Sequence, residues 1–331
     1  DTPPSPERVQ EVNELFAEFA SPVRMIWINS EPVQAWLDEL KANGVEVGPN
    51  GKGRTVWLGM GYMLASGMEV IALHDCDIIG YTGELIDRLF FPAVKFDYEF
   101  VKGFYARAHG GLFGRVTRLL VWPLLGSFMR LHPGVPFVDF ARSFRYPLSG
   151  EFAMGADLAE RISLENGWGL EVGSLAQVFK LLSLSRVAQV DLAMNYEHYH
   201  QPLGVDVDSG LQRMAVEIVS SLLRTMASTG VTFEKHALLA AFEEVGTDLI
   251  RGYRSDAGFN GIPYDRRAEV EQLQLYAHSL EVGFEEFEQA PGRGASVRLP
   301  SWRQLNEEFP DISLELVRRI EVGPEHLRQT P

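Results

Sequence analysis

The sequence is short of cysteine, of basic residues and of long apolar runs, and each shortage closes off a class of protein. Cys76 is the single cysteine among 331 residues. No intramolecular disulfide is therefore possible, and a structural zinc site would have to be built from histidines and carboxylates. A reducing cytoplasm is the expected setting. Lys and Arg number 30 against 45 Asp and Glu, a formal net charge of −15. That balance argues against delocalised binding to DNA, RNA or an anionic membrane, which is held by an excess of cations. Any bound phosphate must then sit in a local basic pocket. No apolar run reaches the length of a membrane span, and the opening DTPPSPERVQE lacks both the basic end and the apolar stretch of a signal peptide. The first residue is Asp1 rather than Met, so upstream residues are expected. There is no internal repeat and no low-complexity tract. What remains is globular in composition, with 46% hydrophobic residues and 20 Phe, enough to bury at least one full core.

Along the chain, Val9, Val12, Leu15, Phe16 and Phe19 form a helical stripe over residues 6–20. VRMIWI (23–28) is a β-branched and aromatic run expected to be a buried strand, while 33–43 and 55–66 read as helices. EVIALHDCDIIGYTG is an apolar run of strand length ending in acids, followed by a helix over 84–89. This alternation predicts an α/β fold with a mostly parallel sheet and flanking helices. Residues 115–131 are helix-like apart from Pro123, which is expected to kink or end the helix. Residues 147–162 and 166–182 read as loop-to-helix segments with glycines at their entrances, and VAQVDLAM (187–194) as a strand leading into EHYHQPLG. From Asp206 the pattern becomes α-helical. Leu211, Met214, Ile218, Leu222 and Met226 line one face, and Leu273, Tyr276, Leu280, Phe284 and Phe287 another. The tail after Gly323 is expected to fray.

Several short motifs carry chemistry. In VIALHDCDI, Asp75 and Asp77 stand two positions apart at the end of a strand, on one side if the chain is extended. The carboxyl edge of such a sheet binds ligands, and paired carboxylates suit Mg²⁺ or Mn²⁺ bridging phosphates. The same spacing also fits a solvated acidic turn, or an Asp-x-Asp phosphatase with Asp75 as nucleophile and Asp77 as acid/base. GPNGKGRT sets Lys52 between glycines before a helix, which suits a diphosphate cradle or, more commonly, a turn with a solvated lysine; it is not a Walker loop, since Gly53 follows the lysine. Gly114, Arg115 and Thr117 fall at a helix N-terminus, where N–H groups, a guanidinium and a hydroxyl converge on a phosphate unless they form an ordinary cap. His198 and His200 lie on the same side of an extended segment and suit a metal or a structural role. Glu151 and Glu171, each after a glycine-containing loop, suit sugar hydroxyls or helix caps. Cys76 between two acids would make a poor thiolate.

The order of these motifs, GKG, HDCDI, GRVTRLLVWPLL, YPLSGEFAM, NGWGLEVG and AQVDLAMNYEHYHQPLG, resembles the group of retaining glycosyltransferases formed by glucosyl-3-phosphoglycerate synthase and mannosyl-3-phosphoglycerate synthase, with mannosylglycerate synthase as a more distant relation. The resemblance runs from about residue 23 to 204. It implies a GT-A-type, Rossmann-like fold with a helical C-terminal region: residues 1–110 as the nucleotide-sugar-binding part, 111–205 as the acceptor-binding part with the catalytic loops, and 206–331 as a helical region for dimerisation. By position it implies that Asp77, with Asp75, handles a divalent metal (Mg²⁺ or Mn²⁺) and the donor diphosphate. Lys52 would touch the donor and His198 complete the metal shell. Gly114, Arg115 and Thr117 would hold the phosphate of 3-phosphoglycerate. The Leu148 carbonyl would lie beside the reacting sugar, and Glu171 would bind the hydroxyls of that sugar.

His200 stands where that group often has asparagine. The Pro-x-x-Asn-Glu-like segment with which such enzymes read the base is missing, so Asp1 is expected to lie after that strand and the first part to lack upstream strands. The activity implied is transfer of glucose or mannose from UDP-glucose or GDP-mannose to 3-phosphoglycerate, for compatible solutes. A phosphohydrolase and a non-catalytic sugar-nucleotide-binding relative are the alternatives. The long apolar helix faces beyond residue 206 offer more surface than a single sheet edge needs, so a homodimer is expected.

Overall fold

A computed structural model describes residues 5–16, 23–108, 110–193, 196–198, 210–289 and 298–321. In chain order the elements are α1 (Pro6–Phe16), α2 (Glu31–Ala42), α3 (Lys52–Ala65), β1 (Val70–Leu73), β2 (Ile78–Ile79), α4 (Gly83–Phe96) and β3 (Phe100–Tyr105). Then come α5 (Trp122–Leu131), α6 (Pro136–Ser143), β4 (Phe152–Gly155), α7 (Ala156–Arg161), α8 (Leu170–Leu181), β5 (Val187–Ala193) and β6 (Glu197–His198). The rest is helical: α9 (Gly210–Ala227), α10 (Lys235–Phe259), α11 (Arg266–Gln289), α12 (Trp302–Glu308) and α13 (Ile312–Glu321). No helix among the described residues is long and apolar enough to cross a membrane.

The α/β class holds, but the expectation of a mostly parallel sheet needs correction. The main sheet is ordered β1-β4-β3-β5; β4 pairs antiparallel with both β1 and β3, and only β3 and β5 pair in parallel. β1, β3 and β5 do point the same way, as the strand–helix alternation predicted. The odd strand is β4, whose short FAMG lies inside a stretch read as loop and helix. Its residues alternate between faces, with Phe152 and Met154 in the main core and Ala153 in a smaller cluster with Leu85, Leu89 and Val101. That smaller cluster lies under α4; the main core runs without a break from Val33 to Leu316.

The segment 23–28 forms no strand. Its carbonyls are used locally: Trp27 O accepts from Ser30 N at 3.0 Å and Ile28 O from Gln34 Nε2 at 2.7 Å. β-propensity without a neighbouring strand among the described residues leaves such a run as a connector. Pro123 does not end the 115–131 helix. Just before it, Thr117–Val121 widen into a π-turn in which Trp122 N donates to Thr117 O. The wider turn accommodates a proline that has no N–H to give.

Candidate active site

The site begins with a contact between two loops far apart in sequence. The 48–53 turn lies against the loop 165–169: Gly53 N donates to Asn166 O at 2.8 Å and Asn166 Nδ2 to Pro49 O at 2.7 Å. A Cβ on Gly53 would overlap the backbone carbonyl of Glu165, so the approach is open only to glycine. α3 therefore starts at Lys52, held over the N-terminal turn of α8. Lys52 Nζ lies 2.8 Å from Asp75 Oδ1 and 2.9 Å from Glu171 Oε1. Burial works against its charge, yet the Glu171 and Asp75 carboxylates together raise its pKa above the usual lysine value. It is a fixed cation, not a base.

Asp75 follows the C-terminal end of β1, as predicted from the sequence. The chain turns at Cys76 and Asp77 instead of staying extended, yet both carboxylates line the same cavity, of about 240 Å³. Lys52, Gly114, Arg115, Thr117, Leu148 and Glu171 line it too. Of the site residues the resemblance implied, all but His198 line this one cavity, whereas Glu151, the other glutamate offered for sugar hydroxyls, is not among its lining residues. His198 pairs with Ile78 through its backbone; its side chain, and all of His200, lie outside the described residues. Among the described residues no three His, Cys, Asp or Glu side chains gather as a ready-made metal cage. Two hard carboxylates at a sheet edge nevertheless fit Mg²⁺ or Mn²⁺, which typically take one or two carboxylates and fill the remaining positions with substrate phosphate and water.

On the opposite wall Gly114 adopts φ +71°, a left-handed conformation suited to glycine, against the Tyr146 hydroxyl. The helix starts at Arg115, so its first N–H groups open toward the cavity wall. Behind it, Arg118 makes a buried two-pronged pair with Glu269, at 2.5 and 2.9 Å, and fixes this helix to α11.

Sequence reasoning missed Lys102, buried behind the site, and read Glu151 only as a candidate for sugar hydroxyls or a helix cap. Lys102 on β3 is 1% exposed and donates to the Ser149 carbonyl at 2.5 Å, while Ser149 Oγ donates to Gly103 O at 2.5 Å. Both bonds fix the loop that carries Leu148. Burial lowers the Lys102 pKa to about 8 against the pull of Glu171 and Glu151. Glu151, fully buried, is pushed up to about 7 by burial and by the charge of Asp75; its backbone hydrogen bond, Lys102 and the Tyr196 hydroxyl oppose the shift. Tyr105 stacks between Tyr196 (4.0 Å) and Tyr146 (4.7 Å). Arg107, Trp168 and, from α9, Leu211, Met214 and Ile218 also line the cavity. A lysine in the middle of the apolar run FVKGFY was the available signal, because a buried cation needs a partner.

No protein-family model matches the chain. It is 37% identical to glucosyl-3-phosphoglycerate synthase of Persephonella marina over 322 residues, covering 95% of this chain and 79% of that protein. With the synthase of the same name from Methanococcoides burtonii it shares 32% over 320 residues, 94% of this chain and 78% of that one. Among solved structures, glucosyl-3-phosphoglycerate synthase of Mycobacterium tuberculosis in complex with Mn²⁺, UDP and glucosyl-3-phosphoglycerate is similar over 58% of this chain and 60% of that chain. The identity there is 26% and the TM-score 0.44. A second structure of that enzyme, with Mn²⁺, UDP-glucose and phosphoglyceric acid, gives 25% and 0.43.

Proposed function

The chain belongs to the glucosyl-3-phosphoglycerate synthase family, and from that premise we propose that it moves glucose from a nucleoside-diphosphate glucose to 3-phosphoglycerate. The observation that carries this reading is the convergence of Lys52, Asp75, Asp77, Gly114, Arg115, Thr117, Leu148 and Glu171 on one cavity. The sheet with its acid pair after β1 is the nucleotide-sugar half of a GT-A-type fold. Asp77, with Asp75 beside it and His198 as a further ligand, would hold a divalent metal, which would supply positive charge to the donor diphosphate and the leaving group.

The residues of the chain do the positioning. Lys52 stays protonated, adds positive charge beside the departing diphosphate and fixes Asp75 and Glu171 relative to each other. Glu171 accepts hydrogen bonds from the hydroxyls of the sugar. Gly114, Arg115 and Thr117 hold the acceptor phosphate, which turns the acceptor hydroxyl toward the anomeric carbon. In the retaining course the family resemblance implies, the new C–O bond forms on the face from which the diphosphate departs. The bond to the diphosphate breaks with its electron pair, and the leaving phosphate oxygen takes the proton of the acceptor hydroxyl. The Leu148 carbonyl lies beside the sugar and stabilises positive charge developing at the ring.

The test is release of nucleoside diphosphate from UDP-glucose, GDP-glucose and GDP-mannose, with and without 3-phosphoglycerate, in Mg²⁺ or EDTA. Release that needs both metal and acceptor, and that falls by about 10³-fold in Asp77→Ala without loss of the folded state, is the expected outcome. Phosphate liberated without any sugar donor would point to the phosphohydrolase instead, and binding without product to a silent relative. The lone, exposed Cys76 fits a reducing cytoplasm. We also infer a homodimer, to be checked by light scattering. The C-terminal apolar faces that first suggested it, Leu222, Leu273, Leu280 and Phe284 among them, are buried within the chain, so the contact must use other surface.

A further inference from the structure

The geometry points to Arg107 as the group that binds the carboxylate of the acceptor and so separates phosphoglycerate from other three-carbon phosphates; this rests on the reading of function above. In 3-phosphoglycerate the hydroxyl that receives the sugar sits on the middle carbon, between a carboxylate on one neighbour and a phosphate ester on the other. Bringing that hydroxyl to the donor carries the carboxylate into a cavity already lined by Asp75, Asp77 and Glu171. An unpaired anion there is repelled unless a cation meets it. Among the described residues the side-chain cations lining the cavity are Lys52, Arg107 and Arg115; the metal proposed at Asp75 and Asp77 is assigned to the donor diphosphate. Lys52 is committed to Asp75 and Glu171. Arg115, with the helix N-terminus and the Thr117 hydroxyl, matches a dianionic phosphate.

Arg107 is left. It is half-buried, and no carboxylate among the described residues pairs with it, in a chain where acids outnumber bases by 45 to 30. Its carbonyl accepts from Phe113 N at 2.9 Å, which folds the loop so that Arg107 and Gly114 reach the same cavity. The segment 194–209 contains no Lys or Arg to take its place. A planar guanidinium is the side chain suited to two-point recognition of a carboxylate.

The experiment compares binding of 3-phosphoglycerate and of glycerol 3-phosphate, in which a hydroxymethyl group replaces the carboxylate, by calorimetry on the full chain with Mg²⁺. The wild type is expected to prefer 3-phosphoglycerate. Arg107→Gln is expected to lose affinity for 3-phosphoglycerate by about tenfold or more, leave glycerol 3-phosphate unchanged and so erase the preference. Arg107→Lys should restore part of it. Arg115→Gln should weaken both ligands together. An Arg107→Gln protein that keeps the wild-type preference, or that weakens both ligands equally, overturns the assignment. A wild type that neither binds 3-phosphoglycerate nor turns it over would instead remove the function on which the inference stands.

Discussion

At the scale of single residues, the site is a set of charges whose states are fixed by burial and by neighbours. Lys52, Asp75 and Asp77 were weak signals one by one, a solvated lysine and a solvated acidic turn being the commoner explanations, and became legible only through the order of motifs along the chain. Lys102 was harder to read, because its meaning depends on Ser149, 47 residues away; Glu151, offered by the sequence for sugar hydroxyls or a cap, is instead a buried acid near Lys102 and Asp75, and nothing local in the sequence marked Arg107. Glu151 offers a direct test of this charge network. Its pKa is raised from 4.5 to about 7 in the folded protein, so between those values the folded chain keeps a proton that the unfolded chain has released. Stability attributable to this group is therefore full below about pH 4.5 and declines as pH rises toward 7. The loss is on the order of 3 kcal/mol. Glu151→Gln has no charge to bury. Denaturant unfolding at pH 5 and pH 8 should show the variant gaining on the wild type at pH 8 and much less at pH 5; an equal difference at both would mean that Glu151 is not the buried acid described.

At the scale of elements, the periodicity of the sequence identified the helices well and the strands poorly. Helices α2, α3 and α8 each bury an apolar face, and a period near 3.6 needs no partner to be visible. Strand β4 has only four residues and β3 carries a lysine and a glycine, so neither presents a clean alternation; both exist because they pair with each other. The run 23–28 is the converse, strong in propensity and without a described neighbour. The glycines of GKG invited a phosphate-loop reading, but the structure gives Gly53 a packing reason, since its backbone lies against Glu165 and Asn166. Gly53→Ala must push backbone against backbone, which no rotamer change relieves. We expect a loss of about 3 kcal/mol, with Lys52 drawn away from Glu171 and turnover falling more steeply than the folded fraction. A Gly53→Ala protein with wild-type melting temperature and activity would show that the two loops do not need this close approach.

At the scale of the molecule, the C-terminal region is part of the same core as the site. α13 rests on α2 and α3, and α12 on α7. Trp302 stacks on Trp57 at 4.8 Å and on Trp36 at 6.4 Å, and its indole N–H donates to the Trp57 carbonyl at 2.9 Å. Trp57 belongs to α3, the helix whose first residue is Lys52. On the other side of the cavity, Arg118 ties the helix bearing Arg115 and Thr117 to α11 through Glu269. Both walls of the site thus depend on residues from the last third of the chain, which the sequence marked only as amphipathic helices. Because one apolar core links Val33 to Leu316, unfolding should be a single cooperative event. Trp302→Ala removes a side chain that is 1% exposed and should cost about 4 kcal/mol. Far-UV circular dichroism and tryptophan fluorescence should then shift together to a lower midpoint in denaturant. If the C-terminal helices were an independent unit, the two signals would separate and the α3 end of the site would survive the substitution. Separation of that kind would be incompatible with a shared core.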